Sequence, residues 1–241
     1  MPSPAKNLER LAVVLRPTIQ QLAEQIDRTF GNQVVNWSIF GDTATGVFDA
    51  DRHTVRNVLV LQQVDLDGVR TLAKLGDQFG LRRIVAPLIL TPAFIAKSLD
   101  TFPLELLEIQ QQAVSILGES PFVNLQFTDP NVRSQCEREM KTVIIALQQG
   151  LLSTHGKSQQ FPGVILNVVE RLSRTLRAML WLQGRRAFQP LLDVVTSVET
   201  LAGRRLPGVR QAVQNVRSPD WNTFQQLYAE VETLGAMVDG W

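Results

Sequence analysis

The sequence is short of the residues that several common kinds of site require. It contains one cysteine, Cys136, and two histidines, His53 and His155, in 241 residues. A single thiol excludes an internal disulfide and any zinc site built from several thiolates. The two histidines are far apart in the chain, so the HExxH spacing of a zinc protease is absent. A lone free cysteine is typical of a reducing compartment, and Cys136 falls on the apolar stripe of a predicted helix, where we expect it to be inert.

Long apolar runs and an excess of one charge are also missing. The longest apolar stretches are interrupted within about six residues, far short of the roughly 20 that span a bilayer. The first residues lack the apolar core and cleavage pattern of a signal peptide. The 24 basic residues nearly balance the 23 acidic ones, which excludes a nucleic-acid binder that relies on bulk charge. We therefore expect a cytoplasmic protein with no membrane contact, and a nucleic-acid partner is not expected.

What the chain does contain is an ordinary folding composition, 44% hydrophobic and 20% charged. Apolar periodicity predicts helices in the first half at 7–30, with a kink or broken start at Pro17, at 65–79 and at 92–98. Strand-like runs alternate with these helices and are predicted at 34–40, 54–61, 84–90 and 104–109. We therefore expect an α/β layer in residues 1–128.

After about residue 129 the strand signals vanish. The same periodicity predicts only helices there, at 131–152, 162–183, 190–201, 207–216 and one beginning at Ser218. The fold predicted for the whole chain is α+β. A small mixed sheet with flanking helices occupies residues 1–128, and an all-helical bundle domain occupies residues 129–241.

The strand–loop–strand at residues 37–61 carries the sharpest local signal. A strand leads into Gly41-Asp42-Thr43, and a second strand follows after about a dozen residues. This arrangement resembles the core of the nucleotidyltransferase-fold superfamily, which includes DNA polymerase beta and kanamycin nucleotidyltransferase. The segments 86–91, 98–105 and 133–139 are similar to a bacterial subgroup of uncharacterised proteins with this domain.

The resemblance implies a fold and a site. In the family, the glycine of the first loop lets the backbone approach a triphosphate, and neighbouring N–H groups cradle it. This implies Gly41, Asp42 and Thr43 as nucleotide-binding positions. Two carboxylates at i and i+2 of the second strand point to the same side, about 6.6 Å apart, and hold Mg²⁺. A third carboxylate on a later strand helps to activate the attacking hydroxyl, and Glu105 is the candidate catalytic residue at that position.

The sequence departs from the family pattern where the metal would bind. Val55 and Asn57 occupy the two carboxylate positions, and Asp42 puts a negative group where the family has serine. Valine offers no ligand and asparagine offers one neutral oxygen, so no metal site is predicted. Asp49 and Asp51 share the strand parity of the missing carboxylates and are the alternative ligands, although a connecting loop is predicted there.

A geometric expectation follows from this alignment. Val55 and Asn57 should lie on the side of the sheet that carries the Gly41 turn, and Arg56 should lie on the opposite side, under the core-side helices. There Arg56 would need a partner. If Asp49 and Asp51 lined the Gly41 side instead, the alignment would be wrong and a catalytic function would again be possible.

Two classes of function stay open, and whether the chain is an enzyme is not decided. The first is a catalytically degenerate nucleotidyltransferase-like module that binds or regulates, with a homodimer or a protein partner held through the helical domain. The alternative is an active, divergent transferase that moves a nucleotidyl group from a Mg-NTP to a hydroxyl acceptor. Only this alternative requires Mg²⁺ and an NTP as cofactors. The resemblance also implies a weaker third idea, a component that pairs with a helical partner as in toxin–antitoxin systems.

Overall fold

Four β-strands of the described chain form one mixed sheet. The computed structural model describes residues 5–45, 54–214 and 220–241. The strands are β1 (Val34–Phe40), β2 (Arg56–Leu61), β3 (Leu88–Leu90) and β4 (Val114–Gly118). Their spatial order is β3–β2–β1–β4. β1 is antiparallel to both β2 and β4, whereas β2 is parallel to β3.

Ten α-helices complete the described chain, five before or between the strands and five after them. The first five are α1 (Arg16–Phe30), α2 (Leu66–Ala73), α3 (Gly76–Gly80), α4 (Pro92–Lys97) and α5 (Pro103–Gln112). The last five are α6 (Asp129–Ser153), α7 (Phe161–Leu182), α8 (Leu191–Ala202), α9 (Pro207–Val213) and α10 (Trp221–Asp239). This order of elements confirms the predicted α+β fold, a small mixed sheet followed by helices.

Prolines and capping carboxylates fix where several helices begin. Pro17 lies in the first turn of α1, where a proline needs no hydrogen bond, so the predicted helix at 7–30 begins later than its apolar pattern. The Asp65 carboxylate accepts a hydrogen bond from the Gly68 N–H at 3.1 Å and begins α2. Asp220 accepts from the Thr223 N–H at 2.8 Å and begins α10. The predicted cap, Ser218, lies outside the described residues.

One face of the sheet packs against α1 and α2. Side chains from β1 and β2 alternate, and those on this face are at most 1% exposed together with the facing residues of α1: Trp37, Ile39, Leu59, Leu61, Ile19 and Ile26. Full burial of an aliphatic side chain contributes about 1.5–3 kcal/mol. This face is therefore the hydrophobic core of the sheet, and it fixes which side chains of each strand point to the other face.

The predicted fourth strand at 104–109 is wrong, because these residues lie in α5. Pro103 occupies the first helical position, where its missing N–H is not needed. Four aliphatic side chains of the segment are buried with no more than 3% exposure: Leu104, Leu106, Leu107 and Ile109. Their spacing spreads the apolar surface over a wide arc of the helix, so a single stripe is not visible in the sequence. The fourth strand of the sheet is β4.

The chain divides into two compact units. The described residues of Met1–Leu99 and Leu106–Gln126 form the first unit, and those of Asp100–Glu105 and Phe127–Trp241 form the second. The sheet, α1 to α4 and most of α5 lie in the first unit, whereas the first residues of α5 and α6 to α10 lie in the second. The division into domains at residues 128 and 129 stays a prediction, since compactness alone does not show that either piece folds by itself.

The second unit is a set of closely packed helices. A Cβ atom at Gly208 of α9 would lie 2.3 Å from the Leu227 backbone nitrogen of α10, so the approach of these two helices requires glycine there. The rings of Phe161 and Phe224 contact each other at a tilt of 35°, with centroids 4.7 Å apart. Among the described residues, no helix is both long and apolar enough to span a membrane.

Candidate functional site

The Gly41 turn follows β1 directly, as the resemblance implies. Gly41 has φ of +83°, a backbone conformation that residues other than glycine rarely adopt. Its carbonyl accepts a hydrogen bond from the Ala44 N–H at 3.0 Å, and Asp42–Thr45 forms a short 3₁₀ turn. The Thr43 side chain is buried, with 2% exposure, and its hydroxyl has no partner among the described residues. Thr43 therefore presents little side-chain surface to a ligand.

The β2 side chain beside this turn is Arg56. A Cβ atom at Gly41 would lie 3.6 Å from Arg56 Nη1. Arg56 is directly opposite Phe40 in the antiparallel ladder, and its guanidinium lies 4.4 Å from the centroid of the Phe40 ring. The strand that follows the Gly41 turn thus presents a cation to that turn.

Arg56 is held by a two-pronged ion pair with Glu108 of α5. Its Nη1 and Nη2 atoms each donate to a different carboxylate oxygen, and both distances are 2.8 Å. The exposed fraction is 19% for the Arg56 side chain and 8% for the Glu108 side chain. Bidentate pairs of this kind are among the stronger charge-assisted contacts. The guanidinium charge beside Gly41 is therefore largely neutralised from within the protein.

Val55 and Asn57 lie on the other face, so the expectation that they face the Gly41 turn is wrong. Val55 is fully buried in the core cluster. The Asn57 amide accepts a hydrogen bond from Trp37 Nε1 at 2.9 Å and donates to the Val85 carbonyl at 2.8 Å. Successive side chains of a strand alternate between faces, and Val55 and Asn57 are on the face that packs against α1 and α2. Arg56 was expected on the side opposite the Gly41 turn. It lies beside the turn instead, because it alternates with Val55 and Asn57.

Glu105 is not on a strand either. It lies in the first turn of α5 and belongs to the second unit. One of its oxygens accepts a hydrogen bond from Gln135 Nε2 at 2.7 Å, and the other pairs with Arg174. The strand placement that suggested a third carboxylate is therefore incorrect, and the catalytic role of Glu105 stays a prediction without that support.

The remaining candidate ligands add no metal site to the described chain. Asp49, Asp51 and His53 lie outside the described residues. Within the described ranges, no group of three or more His, Cys, Asp or Glu residues is placed to hold a metal ion. Burial, with a smaller effect of the Glu139 carboxylate, raises the pKa of the Cys136 thiol to about 12. The thiol is therefore protonated near neutral pH, which agrees with the expectation that Cys136 is inert.

Two buried carboxylates in the second unit have shifted pKa values for structural reasons. Burial raises the pKa of Glu199, but hydrogen bonds from Arg210 and from the Leu206 N–H outweigh it and hold that pKa below its usual value. Burial also raises the pKa of Glu230, and here it prevails over the hydrogen bonds from the N–H groups at the start of α9. Both carboxylates tie helices together, so neither shift indicates a catalytic group.

The ion pair beside Gly41 carried no signal in the sequence. Arg56 and Glu108 are 52 positions apart, and no short motif joins them. The alternation of β2 predicted that Arg56 and its neighbours lie on opposite faces. Which of the two faces packs against α1 and α2 could not be predicted from the sequence. Glu108 lies within the segment 104–109 that was predicted to be a strand, so its placement on a helix was not expected.

No protein-family model matches this chain, and no curated protein matches it. Solved structures do match. One is the spectinomycin adenyltransferase AAD(9) from Enterococcus faecialis, solved with ATP and spectinomycin. The TM-score is 0.57 at 10% sequence identity, over 92% of this chain and 98% of that chain. A likeness at this identity shows the fold, and it supports the nucleotidyltransferase type expected from the sequence.

Proposed function

We propose that this chain is a nucleotidyltransferase-fold protein that does not transfer nucleotidyl groups and acts as a binding or regulatory module. The observation that carries the proposal is the Arg56–Glu108 ion pair beside Gly41. In a working site, the strand after the glycine turn presents carboxylates that hold Mg²⁺. Here the same side of the strand presents a guanidinium that is already paired.

The described residues do not fit a Mg-NTP complex. The side of β2 that carries Arg56 also carries Val58, which is fully buried and offers no ligand. Val55 is apolar, and both polar ends of the Asn57 amide are used inside the protein. A Mg²⁺ ion needs oxygen ligands, of which one or two are usually carboxylates. A phosphate group would have to compete with Glu108 for Arg56.

The alternative is a divergent transferase that moves a nucleotidyl group from a Mg-NTP to a hydroxyl acceptor. It is supported by the fold likeness, over nearly the whole chain, to an adenyltransferase solved with ATP. It would have to draw its metal ligands from Asp49 and Asp51, with Glu105 as the remaining family carboxylate. The two readings therefore differ in whether those three carboxylates bind a Mg-NTP.

Calorimetry distinguishes the non-catalytic module from the divergent transferase. The full chain is titrated with millimolar ATP and then GTP, each with and without Mg²⁺, and spectinomycin is added to a parallel reaction that is analysed by mass spectrometry for adenylylated product. The degenerate reading predicts no saturable Mg²⁺-dependent heat and no product. Saturable heat that disappears in the Asp49→Asn/Asp51→Asn double variant or in Glu105→Ala would replace it with the transferase reading.

The partner of the module belongs to the same proposal. A second copy of the chain, or another protein, would be held through the helical domain. Sedimentation velocity over a range of concentrations tests the homodimer directly. A purely monomeric chain at high concentration leaves a different protein as the partner and removes self-association from the proposal.

A further inference from the structure

A polar pocket lies in the second unit, where α8 ends and the loop to α9 begins. Its volume is about 420 Å³, and volumes of about 300–1,000 Å³ are typical of sites for small organic ligands. The lining positions from 196 to 203 are three or four residues apart, so they follow one face of α8. Two successive arginines of the loop border the same pocket. The lining residues are Thr196, Glu199, Thr200, Gly203, Arg204 and Arg205.

The carboxylate in this lining is already neutralised by the protein. Glu199 is 6% exposed, and it accepts hydrogen bonds from the Leu206 N–H at 3.0 Å and from Arg210 Nη2 at 2.7 Å. Its second ion pair, with Arg205, is longer at 3.4 Å, and the Arg205 side chain is 84% exposed. A pair with such an exposed partner contributes about 0–1 kcal/mol. Arg205 can therefore turn to a ligand while Arg210 continues to neutralise Glu199.

Arg204 supplies a second cation at the pocket. Its backbone is fixed, because its N–H donates to the Glu199 carbonyl at 3.1 Å after the left-handed Gly203, whose φ is +64°. Its side chain is exposed and makes no hydrogen bond or ion pair within the part of the chain that the structure describes. Its charge acts from a distance on the buried Glu230 carboxyl and lowers that pKa, against the larger effect of burial.

The sequence Gly-Arg-Arg occurs twice after a helix, at 184–186 and at 203–205. Both glycines have a left-handed φ, of +76° and +64°. At the first copy, the Arg186 guanidinium lies over the Trp181 ring, 4.7 Å from its centroid. The second copy borders a pocket whose lining contains no ring. A favourable position after a helix explains both pairs of cations, but it does not explain why the second pair borders a polar pocket.

The charges at the pocket indicate the class of ligand. Arg210 offsets Glu199, which leaves the charges of Arg204 and Arg205. The carboxyl end of α8 carries about half a negative charge, so a surplus of roughly 1.5 positive charges remains. A phosphate monoester carries about −1.5 to −2 near neutral pH, whereas a carboxylate carries only one negative charge. Its three oxygens also accept from several guanidinium N–H groups at once.

We propose that this pocket binds an organic phosphate with a hydroxyl-bearing body, such as a sugar phosphate. The phosphate contacts Arg204 and Arg205, and the body lies over the exposed threonines of α8. The Thr200 hydroxyl donates to the Thr196 carbonyl at 3.1 Å, so its free lone pair accepts from a hydroxyl of the body. This site is in the second unit and goes beyond the function proposed at the Gly41 turn, so either proposal can fail without the other.

Glucose 6-phosphate is the probe. Glucuronate is its counterpart with a single negative charge, and glucose is the neutral counterpart. Each is titrated into the full chain by calorimetry at low ionic strength. We expect one glucose 6-phosphate per chain, bound about tenfold more tightly than glucuronate, and no saturable binding of glucose. Added salt should weaken the binding, because it screens exposed charges. Absence of saturable binding of glucose 6-phosphate at millimolar concentration overturns the proposal.

Variants at Gly203 test the placement and the role of charge. A Cβ atom there would meet nothing within 4 Å, and aspartate and asparagine both tolerate the left-handed conformation. Gly203→Asp puts a negative charge at the pocket, and Gly203→Asn adds nearly the same shape without the charge. We expect Gly203→Asp to bind glucose 6-phosphate about tenfold more weakly than Gly203→Asn. Gly184→Asp is the matched control, because Gly184 also follows a helix with a left-handed φ and open space at its Cβ.

Each outcome supports or overturns the site. Equal affinity of Gly203→Asp and Gly203→Asn, or equal weakening by Gly184→Asp, places the probe elsewhere and overturns the pocket. Equal affinity for glucose 6-phosphate and glucuronate overturns the phosphate assignment. If circular dichroism shows that Gly203→Asp does not fold, the double variant Arg204→Gln/Arg205→Gln decides instead. Both of its side chains are exposed, so we expect it to fold and to lose the binding, and retained binding overturns the proposal.

Discussion

Removal of the Arg56 guanidinium tests the ion pair that closes the Gly41 side of the sheet. Arg56→Leu deletes two hydrogen bonds of 2.8 Å and leaves the Glu108 carboxylate, 8% exposed, without its guanidinium. Breaking a buried pair in this way costs about 3–5 kcal/mol, whereas an exposed pair is worth about 0–1 kcal/mol. Because Arg56 retains 19% exposure, we expect a loss near the lower end, about 3 kcal/mol.

The double variant Arg56→Leu/Glu108→Leu makes the prediction specific to the pair. Replacing both charges with apolar side chains of similar size is often neutral, so we expect its stability to fall within about 1 kcal/mol of the parent. The free energy of opening is measured by hydrogen–deuterium exchange of peptides from β1 and β2, which reports on the first unit separately. The control is Glu119→Leu, because the Lys6–Glu119 pair of the same unit is 53% and 94% exposed.

Two results would refute this account of the pair. If Arg56→Leu costs no more than Glu119→Leu, then water solvates Glu108 and the pair does not close that side of the sheet. If the double variant loses as much as the two single variants together, the two side chains are not coupled. Either result would also remove the main support for a degenerate site.

Two other predictions concern named carboxylate positions. Asn57→Asp should lower the free energy of unfolding by at least about 2 kcal/mol, because it buries a charge that faces the Val85 carbonyl. Calorimetry of this variant should show no Mg²⁺ binding. A gain of Mg²⁺ affinity would contradict the face assigned to Asn57. Glu199 has a lowered pKa, so its stabilisation is present above its unfolded pKa of about 4.5 and is lost as the pH falls further. Glu230 has a raised pKa, so its contribution is present below about 4.5 and is lost as the pH rises through its folded pKa. Thermal melting from about pH 3 to 8 should therefore show a smaller acid loss in Glu199→Gln and a smaller loss toward neutral pH in Glu230→Gln, and an unchanged profile in both would contradict these shifts.

The sequence pattern predicted the elements in which all residues favour the same secondary structure. β1 was predicted at 34–40 and has those bounds, because its residues are strongly strand-forming. The helix predicted at 65–79 is interrupted at residues 74–75 and forms α2 and α3. The strand predicted at 104–109 failed for a different reason. Its aliphatic residues are buried over a wide arc of α5, and tertiary burial of that kind leaves no single helical stripe in the sequence.

The site was harder to predict than the fold. The Gly41 turn could be found from the sequence, because the strand–glycine–strand order is local. Which face of β2 the turn shares could not, since a shift of one position exchanges the two faces and both carry apolar residues. Glu108 could not be paired with Arg56 from the sequence, because the contact spans 52 positions and joins a strand to a helix.

The alternation of side chains along β2 indicates where carboxylates would be needed for metal binding on the Gly41 side. Positions 56 and 58 share that face of β2 and are separated by about 6.6 Å along the strand. They hold Arg56, which is paired, and Val58, which is fully buried. A carboxylate at position 56 would face Glu108 in place of the guanidinium, and this like-charge repulsion would destabilise the fold. Arg56 replaces that repulsion with an ion pair, so this face of the sheet is stabilised without a ligand.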